Sequence, residues 1–376
     1  MKKAASMKRL LSGLAALLAG TAVVGSAHAG TLFMGSYPDV VMVIDEGKGA
    51  VVNRIKLQTG LPVNLRASQD GKKIFVTTNT NSGIEVIDVA SRRVIKSFTL
   101  NSPNERYRFY AGAPDPTGKL FYTAITKMEK LNDRWDVGKY QYAVIDIDQE
   151  KIVRTYDVPE EDVDTGYTGY GRGFVVSPDG KHLYRFGDKV TILDTSDFKV
   201  VDKVELAKTQ ISGVARGNFG EDLNLISRNG QHVSVFNVED PYVHNKIFGI
   251  GRFDLNSRRF DFTPVGPAPA GMAGLQVSPD GKKAYTIVGH SQPSGAGNAQ
   301  RRCEAWRLDV ASKSVEQRVE IPCRTRFEFD LSSDGRKLYM HGAGFEIDVY
   351  DAATLKHERT WDLNGDITMA GMLSFR

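Results

Sequence analysis

From position 31 onward the chain is a succession of short apolar runs separated by polar turns, and no stretch keeps a helical period. The clearest run ends in Val-Ile-Asp at Asp45, Asp88 and Asp146, with looser copies ending at Asp194, Asp254, Asp309 and Asp351. The seven copies recur at intervals of roughly 40–60 residues, the length of a four-stranded propeller unit. Residues 93–100 and their counterparts alternate polar and apolar, as a half-buried strand does. A second signal is a turn ending in glycine: Ser-Gln-Asp-Gly at 68–71, Asp-Pro-Thr-Gly at 115–118 and Ser-Pro-Asp-Gly at 177–180 and 278–281. Gly-Asn-Phe-Gly at 217–220 and Ser-Ser-Asp-Gly at 332–335 read as two more. Asp or Asn bonds locally to the backbone in such a turn, and Gly takes the positive φ.

Six turns stand against seven third strands. The mismatch predicts a ring closed by its own ends. Residue Thr31 opens directly in a second strand, and the tail 367–375 resembles the first strand at 272–278. The prediction is an all-β, seven-bladed β-propeller spanning residues 30–376, with the C-terminal strand completing the first blade. Closure removes the open sheet edge on which strands of other chains would pair.

The first 29 residues read as an export signal rather than as part of this fold. Lys2, Lys3, Lys8 and Arg9 precede an apolar run at 10–24, and Ala27-His28-Ala29 supplies a small-x-small cleavage site. The run is shorter than the roughly 20 residues a membrane-spanning helix needs, and no later stretch is long and apolar enough. The expectation is cleavage after Ala29 and a soluble periplasmic protein. Removing the four basic residues of the leader leaves 45 acidic residues against an equal number of basic ones. A chain so balanced offers no basic stripe for a phosphate backbone, which disfavours nucleic acid as a partner.

Two cysteines occur, Cys303 and Cys323. One opens a third strand and the other follows the fourth strand of the same blade, so they come nearly opposite each other and are expected to form a disulfide in an oxidising compartment. A thioether between Cys303 and Trp306 is disfavoured, because residues three apart on a strand face opposite sides. No Cys-x-x-Cys-His, metal-ligand spacing, Gly-x-Ser-x-Gly or phosphate-cradling loop is present, so no cofactor is expected in this chain itself.

Insertions mark one face of the predicted ring. Connections from second to third strand, and from one blade to the next, emerge on the same side. Extra length at 127–140, 231–246 and 290–302, with the segments 101–109 and 159–173, falls there. Variable loops on a rigid scaffold carry function. Two clusters stand out: Arg106, Tyr107, Arg108 and Tyr110, and Tyr167, Tyr170 and Arg172. Tyr with Arg is typical of interface anchors, so one reading is a docking surface for a partner or substrate. The other is a plug over the central channel. His290 and His341 each end a second strand on this face in neighbouring blades and form a further candidate pair.

The run Leu-Asn-Ser-Pro-Asn-Glu-Arg at 100–106, leading into Gly112 and Asp-Pro-Thr-Gly, and the ending Tyr-Asp-Ala-Ala-Thr-Leu at 350–355, followed by 366–375, complete the picture. With the Val-Ile-Asp strands and Ser-Pro-Asp-Gly turns, the chain resembles the YVTN-type propellers and, among them, the β subunit of quinohaemoprotein amine dehydrogenase. The resemblance implies a periplasmic complex with a dihaem cytochrome c subunit and a small subunit carrying cysteine tryptophylquinone. There the quinone deaminates a primary amine and electrons leave through the haems, while the propeller scaffolds and partly walls the site. No catalytic residue carries over to this chain. The alternative is a stand-alone periplasmic propeller that binds a protein, an envelope component or a metal without redox activity. A self-sufficient hydrolytic propeller would need acidic or His ligands converging on the channel, and the sequence singles out no such set.

Overall fold

The structure is a computed structural model; it describes residues 30–159, 174–186, 189–206, 216–219, 230–239, 245–269, 271–272, 274–290, 302–324, 328–342 and 344–375. These residues form seven antiparallel sheets, one per blade. In sheet order, blade one is β29 (Ile367–Phe375), β1 (Thr31–Ser36), β2 (Val40–Asp45) and β3 (Ala50–Lys56). Blade two is β4 (Pro62–Ala67), β5 (Lys73–Thr78), β6 (Gly83–Asp88) and β7 (Arg93–Thr99). Blade three is β8 (Glu105–Pro114), β9 (Leu120–Lys130), β10 (Trp135–Asp146) and β11 (Lys151–Asp157). Blade four is β12 (Val175–Val176), β13 (His182–Phe186), β14 (Lys189–Asp194) and β15 (Val200–Glu205). Blade five is β16 (Arg216–Phe219), β17 (Gln231–Glu239), β18 (Lys246–Asp254) and β19 (Phe260–Pro267). Blade six splits its first strand into β20 (Gly271–Met272) and β21 (Gln276–Val277), followed by β22 (Lys283–His290), β23 (Arg302–Asp309) and β24 (Ser314–Ile321). Blade seven is β25 (Glu328–Leu331), β26 (Lys337–His341), β27 (Glu346–Asp351) and β28 (His357–Asp362).

The tail closes the ring as predicted. β29 pairs with β1 in antiparallel register, Thr31 opposite Phe375 and Phe33 opposite Leu373.

Apolar runs without alternation follow from blades stacked on both faces. On β1 and β2, Leu32, Met34, Met42 and Ile44 point into a cluster with Tyr339, Val349 and Trp361 of blade seven. Phe33, Val41 and Val43, one residue out of phase, point into a cluster with Leu65, Ile74 and Val76 of blade two. The same division recurs around the ring at each neighbouring pair of blades.

The repeated Asp at the end of each third strand closes the turn to the fourth. Its carboxylate accepts a backbone N–H two or three residues on, from Lys48, Ser91, Gln149, Ser196, Ser257, Ser312 and Thr354 in the seven blades. In the Ser-x-Asp-Gly turns the Ser hydroxyl donates to the Asp, as in Ser278 to Asp280 at 2.6 Å, and accepts the Lys283 N–H at 2.9 Å. One turn lies elsewhere than expected. Residues 216–219 are the strand β16, so 217–220 is not the hairpin of blade five. Gly230 has the φ of +68° that the hairpin glycines share, and its carbonyl accepts the Leu255 N–H as Lys72 does from Val89.

The disulfide is present. Cys303 and Cys323 are joined with their Cα atoms 5.2 Å apart, so Cys303 carries no thioether to Trp306. Among the described residues, no helix is long and apolar enough to cross a membrane.

Candidate functional site

Blade three departs from its neighbours. β9 and β10 are 11 and 12 residues long, where β5 and β6 have 6 each, so their hairpin rises above the ring. β8 follows it upward, with Glu105 opposite Glu129. Residues 105–109 are therefore strand and not loop, which corrects the expectation for that end of 101–109. The register shifts between Phe109 and Gly112 on one side of β9 and between Val137 and Tyr140 on the other. Such bulges bend a sheet and re-aim its side chains. Gly112 permits the bend, since a β-carbon there would lie 2.3 Å from the Phe121 ring and 2.8 Å from the Tyr122 carbonyl oxygen. Lys127, on β9, ties the upper part of β8 to β9 by pairing with Glu105 at 2.7 Å, and also pairs with Glu129 of its own strand at 2.7 Å. These two bonds raise the Lys127 pKa, so the tie is charged at neutral pH. Below, the Asn101 side chain accepts the Tyr107 N–H at 2.8 Å and fixes the entry of β8.

One face of this crest carries a line of Arg and aromatic side chains. At the tip, Arg106 stands over Trp135, 5.8 Å from the ring centroid. Trp135, Val137 and Leu131 are exposed, by 40%, 65% and 40%. Lower down, Arg108 lies over Tyr110 at 5.1 Å, and Tyr110 meets Tyr140 at 4.6 Å. Burial, with Tyr110 and Tyr142 close by, pushes the Tyr140 phenol pKa up, so it remains a neutral hydroxyl. At the base, Tyr142 stacks on Phe198 at 5.0 Å, and the buried Arg185 of blade four lies over Tyr142 and donates to its hydroxyl.

The structure thus brings Arg106, Arg108 and Tyr110 together. Tyr107, with its neighbour Phe109, turns to the opposite face and packs toward blade two. Tyr167, Tyr170 and Arg172 lie outside the described residues. Trp135, Tyr140, Tyr142 and Arg185 were not singled out from the sequence. The spacing of Trp135 with Val137, and of Tyr140 with Tyr142, is the period-two signal that would have found three of them.

The histidines do not share a described site. His290 ends β22 opposite Arg302, and its side chain lies outside the described residues. His341 ends β26, is 1% exposed, and neither ring nitrogen has a hydrogen-bond partner. Burial, helped by the charge of Arg324, lowers its pKa to about 4. Arg324 itself pairs with Glu346 at 2.9 Å and Asp348 at 2.5 Å. Among the described residues, no three His, Cys, Asp or Glu form a group that could hold a metal ion.

Among the described residues, the exposed large apolar side chains fall into two sets. Val52, Ile95, Val153, Val200 and Val201 sit on the outermost strands of four blades. Tyr37, Leu131, Trp135, Val137 and Phe345 sit on or beside connections from second to third strand, on the face that carries the crest. Tyr37 and Phe345 are 64% and 56% exposed. The Tyr37 N–H donates to the Asp366 carbonyl, and the Leu363 N–H to that of Phe345, so the 363–366 connection holds both in place.

These features define a seven-bladed β-propeller with an elaborated loop face. No family model matches the chain, and no curated protein matches it in sequence. In structure it is similar to a functionally unknown protein from Desulfotomaculum acetoxidans, at 13% identity and TM-score 0.52 over 93% of this chain and 99% of that one. It is also similar to a putative 6-phosphogluconolactonase from Bacteroides fragilis, at 13% identity and TM-score 0.51 over 94% and 99%. A third likeness is to dihydro-haem d1 dehydrogenase NirN, at 12% identity and TM-score 0.50 over 92% and 75%. At such identities the likeness is one of fold.

Proposed function

We propose that this chain is the propeller subunit of a periplasmic amine dehydrogenase of the quinohaemoprotein type, exported by its leader and docked to its partners through the crest face. The crest is the observation that carries this reading. Trp135, Val137 and Leu131 hold apolar surface in water on the projecting β9–β10 hairpin, with Arg106 beside them. An aromatic anchor flanked by Arg is the composition of an interface hot spot. The choice of partners rests on the sequence resemblance: a dihaem cytochrome c subunit and a small chain bearing cysteine tryptophylquinone. In such a complex this chain orients and walls, and the quinone and haems of the other chains carry the redox chemistry.

Gentle purification from the periplasm tests the proposal. The expected result is co-elution with c-type haem absorbance and a small quinone-bearing chain. A monodisperse monomer carrying a ligand of its own would overturn it in favour of a stand-alone binding propeller.

A further inference from the structure

Gly30 is buried at the start of β1, directly after the small-x-small site of the leader. Its carbonyl accepts the Glu46 N–H at 3.1 Å. A β-carbon at this position would lie 2.2 Å from Glu46 Oε2, 2.5 Å from Ser333 Oγ and 2.8 Å from Ser333 Cβ, so a larger residue would displace the Glu46 and Ser333 side chains. The Glu46 carboxylate accepts from the Ser333 N–H at 3.0 Å, the Ser333 hydroxyl at 2.8 Å and the Tyr339 hydroxyl at 3.3 Å. Among the described residues it has neutral donors and no ion-pair partner. Lys48, the nearest cation in sequence, pairs with Asp45. A cation beside such a carboxylate would add a charge-assisted hydrogen bond that neutral donors do not supply.

We infer that removal of the leader supplies such a cation: the new α-ammonium of Gly30 pairs with Glu46 and clips blade one to the Ser333 turn of blade seven. The inference rests on the reading of 1–29 as a leader cut after Ala29. A signal peptidase and one water break the Ala29–Gly30 C–N bond. Ala29 keeps the carboxylate, and the Gly30 nitrogen, an uncharged amide before the cut, takes up a proton. That nitrogen is one bond from the Cα against which Glu46 Oε2 is pressed. The clip lies at the seam that β29 closes, so the ring is fully locked only in the processed chain.

The pair has a defined pH window. An α-amine titrates at about 7.7–8.0 when free, and a carboxylate partner raises that value. Stability from the pair is therefore full below about 8 and is lost as pH rises through the higher, folded value. The charged and titratable groups around it are Glu46, Asp45 and Lys48 on its own turn, Asp334 and Arg336 on the blade-seven turn, and Tyr339 and Arg359 behind them.

The test compares the processed chain starting at Gly30 with one starting at Ala29, each with and without Glu46→Gln. N-terminal sequencing of the exported protein first establishes the cut. Finding the cut elsewhere overturns the leader reading and the inference with it. With the cut at Gly30, the Ala29-start chain should unfold about tenfold faster in urea at pH 7. That difference should vanish in the Glu46→Gln background and above about pH 10. Equal unfolding rates in the wild-type background, or an equal penalty in Glu46→Gln, would overturn the ion pair and leave the leader reading intact.

Discussion

Arg106 and Trp135 meet across the middle strand of a three-stranded crest, guanidinium over indole at 5.8 Å, one on the first strand of the blade and the other on the third. Neither contributes to a core cluster, and Trp135 keeps 40% of its surface in water. If the crest docks a partner, Trp135→Ala should weaken the complex by about 30-fold or more, the loss typical of a hot-spot aromatic. The isolated chain should keep its fold, since Trp135 belongs to none of the core clusters between blades. Ile95→Ala on the outer rim should leave affinity as it is. Titration calorimetry against the partner, with a melting curve for each variant, checks all three.

Acid should destabilise the fold in two stages. His341 is neutral in the folded chain, with a pKa of about 4 against 6.5 for the free side chain. Between those values the unfolded chain binds a proton that the folded chain does not, so stability falls as pH drops from 6.5 to 4. The loss is about 3 kcal/mol at its limit. The turn carboxylates act later. Burial raises the Asp334 pKa, but bonds from Ser332 and Arg336 outweigh it and bring the value to about 2. Stability from such a group is lost as pH falls through 3.8 toward 2. His341→Leu should abolish the first stage and preserve the second, read as urea midpoints across pH 3–8.

Reducing the disulfide should cost stability without opening the ring. Cys303 and Cys323 close a loop with a sequence separation of 20, for which cross-linking contributes about 3 kcal/mol. Cys303→Ala with Cys323→Ala should lower the urea midpoint by that equivalent, with far-ultraviolet circular dichroism unchanged.

Deleting β29 is a different perturbation. Removing residues 367–376 exposes β1 as an open edge and strips Ile367, Ala370, Met372 and Leu373 from the cores shared with blades seven and two. The truncated chain should self-associate through that edge, seen as higher oligomers in light scattering. A monomer of unchanged stability would contradict the closure.

The ring was legible because its signals are local. Each Asp of the third strands bonds within three residues, and Phe33 and Met34 show by their adjacency that both sheet faces are buried. The turn of blade five misled because Gly217 and Gly220 imitate the spacing of the other turns, although 216–219 pair as the strand β16. The crest was half legible. Arg106 to Tyr110 stood out by composition, but a loop was expected where Lys127, Glu105 and Glu129 hold a strand. Arg185 comes from the next blade, 43 residues beyond Tyr142, and no local pattern announces that contact. The contact of Ser333 with Glu46 was equally invisible, since the two are 287 residues apart.

Photo-crosslinking in the periplasm from a residue placed at position 137 tests the docking proposal most directly, because Val137 is 65% exposed at the crest tip. The account predicts one dominant adduct with a haem-bearing or quinone-bearing chain, absent when the probe stands at position 95 on the rim. Adducts from position 95 and none from 137 would contradict it.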